Sequence, residues 1–115
     1  MRCTEAQLHH TVVDYLNLVH PTLLWWHTNN NAGFGSVKAG KKAKRLGVLA
    51  GVPDLFIAHP SSKHHGLFVE LKVGKGYLSR QQKKIIGQLR SNGYRVIIAR
   101  SLDDIITELE KLDHG

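Results

Sequence analysis

The stretch GVPDLFIAHPSSKHHGLFVELKVGK (residues 51–75) holds two short apolar runs, LFIA (55–58) and LFVELKV (67–73), around a polar PSSKHHG turn. This is the pattern of two antiparallel strands joined by a hairpin loop, and we expect strands over 53–59 and 66–73. Opposed residues in such a hairpin share a constant index sum, so a turn centred near Ser62 sets Asp54 against Glu70 and Phe56 against Phe68. Period-two alternation then places Asp54, Phe56, Phe68, Glu70 and Lys72 on one side of the sheet, and Leu55, Ile57, Val69, Leu71 and Val73 on the other. Two carboxylates and an ammonium are expected to converge beside two phenylalanines.

Opposed carboxylates about 4 Å apart repel by roughly 4 kcal/mol at an effective dielectric of 20, a poor choice for a purely structural pair. A divalent cation reverses the sign. Mg²⁺ binds few carboxylates and keeps several waters, which leaves positions open for a phosphate oxygen. Lys72, on the same face as Glu70, is then placed to stabilise charge on the phosphate or to orient an attacking water. The plain structural reading is that Lys72 neutralises Glu70 along the strand while Asp54 caps a turn after Pro53.

Outward from the hairpin, Thr4-Glu5-Ala6-Gln7 is a capping box opening an amphipathic helix, with Leu8, Val12, Leu16 and Val19 at helical spacing until Pro21. LLWWHT (23–28) reads as a strand and NNNAGFGS (29–36) as a loop rich in residues that tolerate positive φ. A short basic helix ending near Gly47 precedes the hairpin. After it, Ser79-Arg80-Gln81-Gln82 is a second capping box, leading a helix that turns Ile85, Ile86 and Leu89 inward and stops near Gly93. YRVIIAR (94–100) is a strand, and Ser101 caps a last helix through Ile105, Leu109 and Leu112. The order α-β-(α)-β-β-α-β-α is an α/β class with a mixed sheet flanked by helices. Its β-α-β step implies one parallel strand pair.

With 115 residues, 42% of them hydrophobic and no composition break, a single domain over 1–115 is expected. The N-terminal MRCTEAQLHH carries no apolar signal segment, and no apolar run approaches the roughly 20 residues that cross a bilayer. A soluble, cytoplasmic protein with no membrane partner is the expectation, and the single Cys3 makes no internal disulfide. Sixteen Lys and Arg against nine Asp and Glu give a formal charge of +7, which favours a polyanionic partner. The eight histidines include the adjacent pairs His9-His10 and His64-His65, which are not a spaced chelating set, so no zinc site is expected.

GVPDL followed by VELK resembles the paired motif of the PD-(D/E)xK nuclease superfamily. The GxPDL form, an upstream Glu5 and the downstream LSRQQ (78–82) make the chain similar to the VRR-NUC (virus-type replication-repair nuclease) family, from Glu5 to about Ser101. The resemblance implies a restriction-endonuclease-like core and a Mg²⁺- or Mn²⁺-dependent DNA endonuclease. It assigns the metal to Asp54, Glu70 and the backbone carbonyl of Leu71, with Glu5 approaching the same site, and it gives Lys72 the water or the phosphate. Glu5 is equally at home in a first helical turn for dipole reasons. Gln82 matches the family's glutamine and is also the capping-box partner of Ser79, so catalytic support and capping both stand. Where the family often has a Pro before an Asn after the first strand, this chain reads HTNNNAGFG, which leaves the role of Asn29 or Asn30 open.

Lys38, Lys41, Lys42, Lys44 and Arg45 immediately precede the catalytic hairpin and are candidates to hold a DNA backbone without reading sequence, with Lys75, Arg80, Lys83 and Lys84 extending that surface. A solvated helix face is the alternative for each. Of Trp25 and Trp26, which alternate along a strand, one is expected in the core and the other free to stack on a base or fill a dimer contact. Stand-alone members of the family resemble dimeric Holliday-junction resolvases, which implies a homodimer acting on branched DNA in a bacterial or phage-infected cell. The competing readings are a non-catalytic nucleic-acid-binding module and a restriction-type nuclease that reads a base sequence.

Overall fold

The computed structural model describes residues 3–28 and 37–114, with 37–39, 113 and 114 described by backbone alone. The expected loop 29–36, and with it Asn29 and Asn30, lies outside the described residues. Helix α1 (Glu5–Val19) opens on the predicted box: the Gln7 amide donates to Thr4 Oγ1 at 3.1 Å and the Thr4 amide to Gln7 Oε1 at 2.8 Å. It buries Leu8, Val12 and Leu16. Val19, expected to face inward, is instead exposed together with Leu18, because the last turn of α1 runs past the packed cluster.

Strand β1 (Trp25–His27) is followed by helix α2 (Val37–Arg45), then by strands β2 (Leu55–Ile57) and β3 (Leu67–Leu71). Helix α3 (Arg80–Ser91), strand β4 (Arg95–Ala99) and helix α4 (Leu102–His114) complete the chain. The four strands lie in sequence order, with β1–β2 and β2–β3 antiparallel and β3–β4 parallel. Fold class and element order are those expected from the sequence, and β2 and β3 are shorter than the spans 53–59 and 66–73. The hairpin register is the one the turn imposes: Leu55 faces Val69, Phe56 faces Phe68, and Ile57 faces Leu67.

One face of the sheet carries Leu55, Ile57, Leu67, Val69, Leu71 and Ala99, all buried under α1 and α4 with Ile105 and Leu109. The opposite face is half covered. Val96, level with Phe68, is buried where α3 packs on β4 with Ile85 and Ile86, while Phe56 and Trp26 remain beyond that helix. Trp25 packs against the core and Trp26 is the exposed member of the pair, as alternation requires.

Helix α3 ends in a Schellman arrangement, with the Tyr94 amide donating to Leu89 O and the Gly93 amide to Arg90 O, each at 3.1 Å. Gly93 supplies the positive φ, +91°, that this stop needs. Helix α4 is tied to β4 by Arg95, whose guanidinium donates to both oxygens of the buried Glu108 at 2.9 and 2.6 Å. No helix of the described residues is long and apolar enough to cross a membrane.

Candidate active site

The hairpin turns its charged row toward α3. Asp54 sits one residue before β2, and its Oδ2 accepts the Leu71 amide at 2.8 Å, so a side chain continues the ladder where the strand backbone stops. Glu70 is only 2% exposed. Its carboxylate is held from the helix side, where Gln82 Nε2 donates to Oε1 at 3.3 Å and, more distantly, to Oε2 at 3.5 Å. The other end of the same amide is engaged too: Gln82 Oε1 accepts the Ser79 amide at 2.8 Å, while the Gln82 amide donates to Ser79 Oγ at 3.1 Å. Capping and carboxylate support, alternatives in the sequence, are performed by opposite ends of one side chain.

Asp54, Glu70, Lys72, Gln82, Glu5 and Tyr77 all line one cavity of about 540 Å³. Burial, the neighbouring Asp54 charge and a hydrogen bond from Glu70 to Asp54 push the Glu70 carboxyl up to about 8, against the smaller opposing pull of Lys72. The Glu70 carboxyl therefore holds a proton near neutrality.

Among the described residues no three or more His, Cys, Asp or Glu side chains gather into a metal-binding group. Glu5 lines the cavity and its charge reaches Glu70, while its own side chain is exposed. The donors on offer are thus two carboxylates with backbone carbonyl and water. That oxygen set is of the kind a hard divalent cation takes, with the remaining positions left to water.

On the other side of Asp54 lies a second cavity, of about 290 Å³, lined by Glu5, His9, His10 and Asp54. His9 packs edge-on to His27 with ring centroids 4.9 Å apart, and burial followed by the His27 charge holds its pKa below the usual value. His27 Nε2 is buried and has no hydrogen-bond partner among the described residues. In the sequence these histidines bear only on zinc. The signal that places His9 here is its spacing of four from Glu5, one turn along α1.

The cationic candidates separate. Lys41, Lys42, Lys44 and Arg45 are all exposed on α2, and Lys38 has only its backbone described. Lys75 lines a different cavity, of about 680 Å³, with Cys3, Val73, Gly74 and Arg100. Arg80, Lys83 and Lys84 are exposed along α3.

The sequence model of the VRR-NUC domain matches residues 5–103. Among solved structures, a VRR_NUC domain protein superposes with a TM-score of 0.77 at 28% identity, covering 97% of this chain and 89% of that chain. No curated protein sequence matches.

Proposed function

The chain belongs to the VRR-NUC family, with a restriction-endonuclease-like α/β fold and a nuclease-type function, and from that premise we propose a Mg²⁺- or Mn²⁺-dependent endonuclease that hydrolyses phosphodiester bonds in branched DNA. The observation that carries this reading is the clustering of Asp54, Glu70 and Lys72 around one cavity, with Gln82 gripping the buried Glu70.

Asp54, Glu70 and the Leu71 carbonyl are the proposed ligands, with Glu5 in the lining of the same cavity. A cation bound there would supply Lewis-acid polarisation of the phosphate and a more acidic water. Each protein group then has a distinct task. Gln82 fixes the direction of the Glu70 carboxylate, and the Leu71 amide does the same for Asp54. Lys72 offsets the charge that grows on the phosphate as water adds to phosphorus and the P–O bond to the leaving oxygen breaks. The exposed cations of α2 and α3 hold the flanking backbone without reading bases. A twofold pair of such sites suits symmetric cuts across a junction, hence a homodimer. Native mass spectrometry that finds only monomer at assay concentration removes the dimer.

Cleavage of a four-way junction and of linear duplex, with Mg²⁺, Mn²⁺ or chelator and with Lys72→Ala, tests the whole. The expected result is metal-dependent cutting, stronger on the junction and at least a hundredfold weaker for Lys72→Ala, the scale of losing one electrostatic donor. Tight binding with no cutting under any metal defeats the enzyme reading in favour of a binding module. Cutting of duplex at one base sequence makes it a restriction-type nuclease.

A further inference from the structure

Tyr77 has no role in the fold. Its side chain is 84% exposed and makes no ring contact with another aromatic among the described residues. Trp26, the other exposed large aromatic ring among the described residues, is partly occupied, packed edge-on to Phe56 with centroids 5.1 Å apart. Yet Tyr77 lines the same cavity as Asp54, Glu70 and Lys72.

Its backbone is held on both sides. Arg100, the residue after β4, donates to Gly74 O at 3.1 Å and to Gly76 O at 2.9 Å, and the Gly76 amide donates to Val73 O at 3.0 Å. Two residues beyond Tyr77, the Ser79–Gln82 box fixes the start of α3. A turn anchored in this way presents an aromatic ring to solvent at the mouth of a charged cavity. The surroundings are cationic, with Lys72 inside the cavity and Lys75 and Arg80 exposed nearby in sequence. A flat apolar surface beside positive charge suits a nucleobase attached to a phosphate, because every base has a π-face and stacking is tolerant of sequence. A base is available for stacking only when it is not held in a duplex stack.

We propose that the Tyr77 ring is a stacking shelf for an unpaired base next to the scissile phosphate, so that the protein selects DNA with an unpaired nucleotide at the cut. This deepens the nuclease reading and rests on it.

The test uses Tyr77→Ala, Tyr77→Phe and Tyr77→Trp in the full chain, on a fully paired duplex and on a duplex with an unpaired 2-aminopurine stepped through successive positions. Binding is followed by 2-aminopurine fluorescence and anisotropy with Ca²⁺ in place of Mg²⁺, and cutting by steady-state kinetics in Mg²⁺. The expected result is fluorescence quenching at one position with wild type, Phe and Trp, abolished in Tyr77→Ala. With it should come a roughly tenfold rise in KM on the unpaired substrate, the scale of one missing base–aromatic stack, and kcat within about twofold. The fully paired duplex should not distinguish the variants.

Equal quenching and equal KM for Tyr77→Ala overturn the shelf. So does a Tyr77→Phe defect as large as that of Ala, which assigns the contact to the hydroxyl. If Tyr77→Ala instead shifts the oligomer mass in native spectrometry, the ring packs on a second copy and the proposal fails. Position-specific quenching without cleavage by any form separates the two ideas, since it keeps the shelf while the hydrolytic reading falls.

Discussion

At the scale of single residues, Glu70 is buried and held both by Gln82 and by Asp54. Its folded carboxyl binds a proton up to about pH 8, whereas its ordinary value is 4.5. Between those values the folded state holds a proton that the unfolded chain has released, so stability is fully present below pH 4.5 and lost as pH rises toward 8. In chelator, urea midpoints should therefore fall across that window. Glu70→Gln should flatten the slope and stabilise the metal-free protein at pH 8 by on the order of a few kcal/mol. An unchanged slope in that variant would locate the titrating group elsewhere. In the proposed metal site a cation displaces the same proton, so Mn²⁺ affinity measured calorimetrically should tighten about tenfold per pH unit from 6 to 8, then level off. How much of this the sequence shows is uneven. The facing of Asp54 and Glu70 follows from the turn and strand period alone, because a hairpin transmits its register to every pair. The approach of His9 and Tyr77 does not, since neither is in the hairpin and each arrives through packing or through a turn fixed by Arg100.

At the scale of elements, the N-terminus of α3 couples folding to the site. Ser79→Ala should cost about 1 kcal/mol of stability, as removal of a cap does, with a modest effect on cutting. Gln82→Glu keeps an acceptor for the Ser79 amide but sets a third carboxylate against Glu70. Without metal its thermal melts should fall more at pH 8 than at pH 6, where Glu70 is protonated, while cleavage falls at least tenfold. If both variants lose activity in proportion to stability, Gln82 acts only as a cap. The C-terminal end is equally specific. A Cβ on Gly93 would meet the His65 ring at 2.7 Å on a backbone already at φ +91°. Gly93→Ala should destabilise by roughly 2 kcal/mol through that strained backbone, and His65→Ala should recover only the steric part. Both helix ends are legible in the sequence, since capping boxes and terminal glycines act within a few residues. Strand ends are not. β2 and β3 stop short of their apolar runs because pairing, set by neighbouring strands, decides where a ladder closes.

At the scale of the whole molecule, charge and fold are arranged separately. The core lies on one face of the sheet and the acidic cluster on the other, with α3 covering part of it. Among the described residues most of the exposed positive charge sits on α2 and α3. Replacing Lys41, Lys42, Lys44 and Arg45 by Ala should weaken binding to any DNA sequence alike. The log–log salt slope should shrink by about one for each phosphate that is no longer neutralised. Anisotropy titrations at several salt concentrations measure this, and an unchanged slope would show that α2 faces solvent in the complex. Net charge is visible from composition. The separation of Lys75 into another cavity is not, because it depends on where the turn after β3 lies against Arg100.

The bond from the Leu71 amide to Asp54 has a practical corollary for trapping a bound substrate. Alanine at position 54 would strip the sheet of an acceptor along with a proposed metal ligand, so an inert Asp54→Ala protein confounds missing chemistry with a loosened hairpin. Asparagine keeps an oxygen where the amide points while removing the negative charge, which makes Asp54→Asn the form in which intact DNA should co-crystallise.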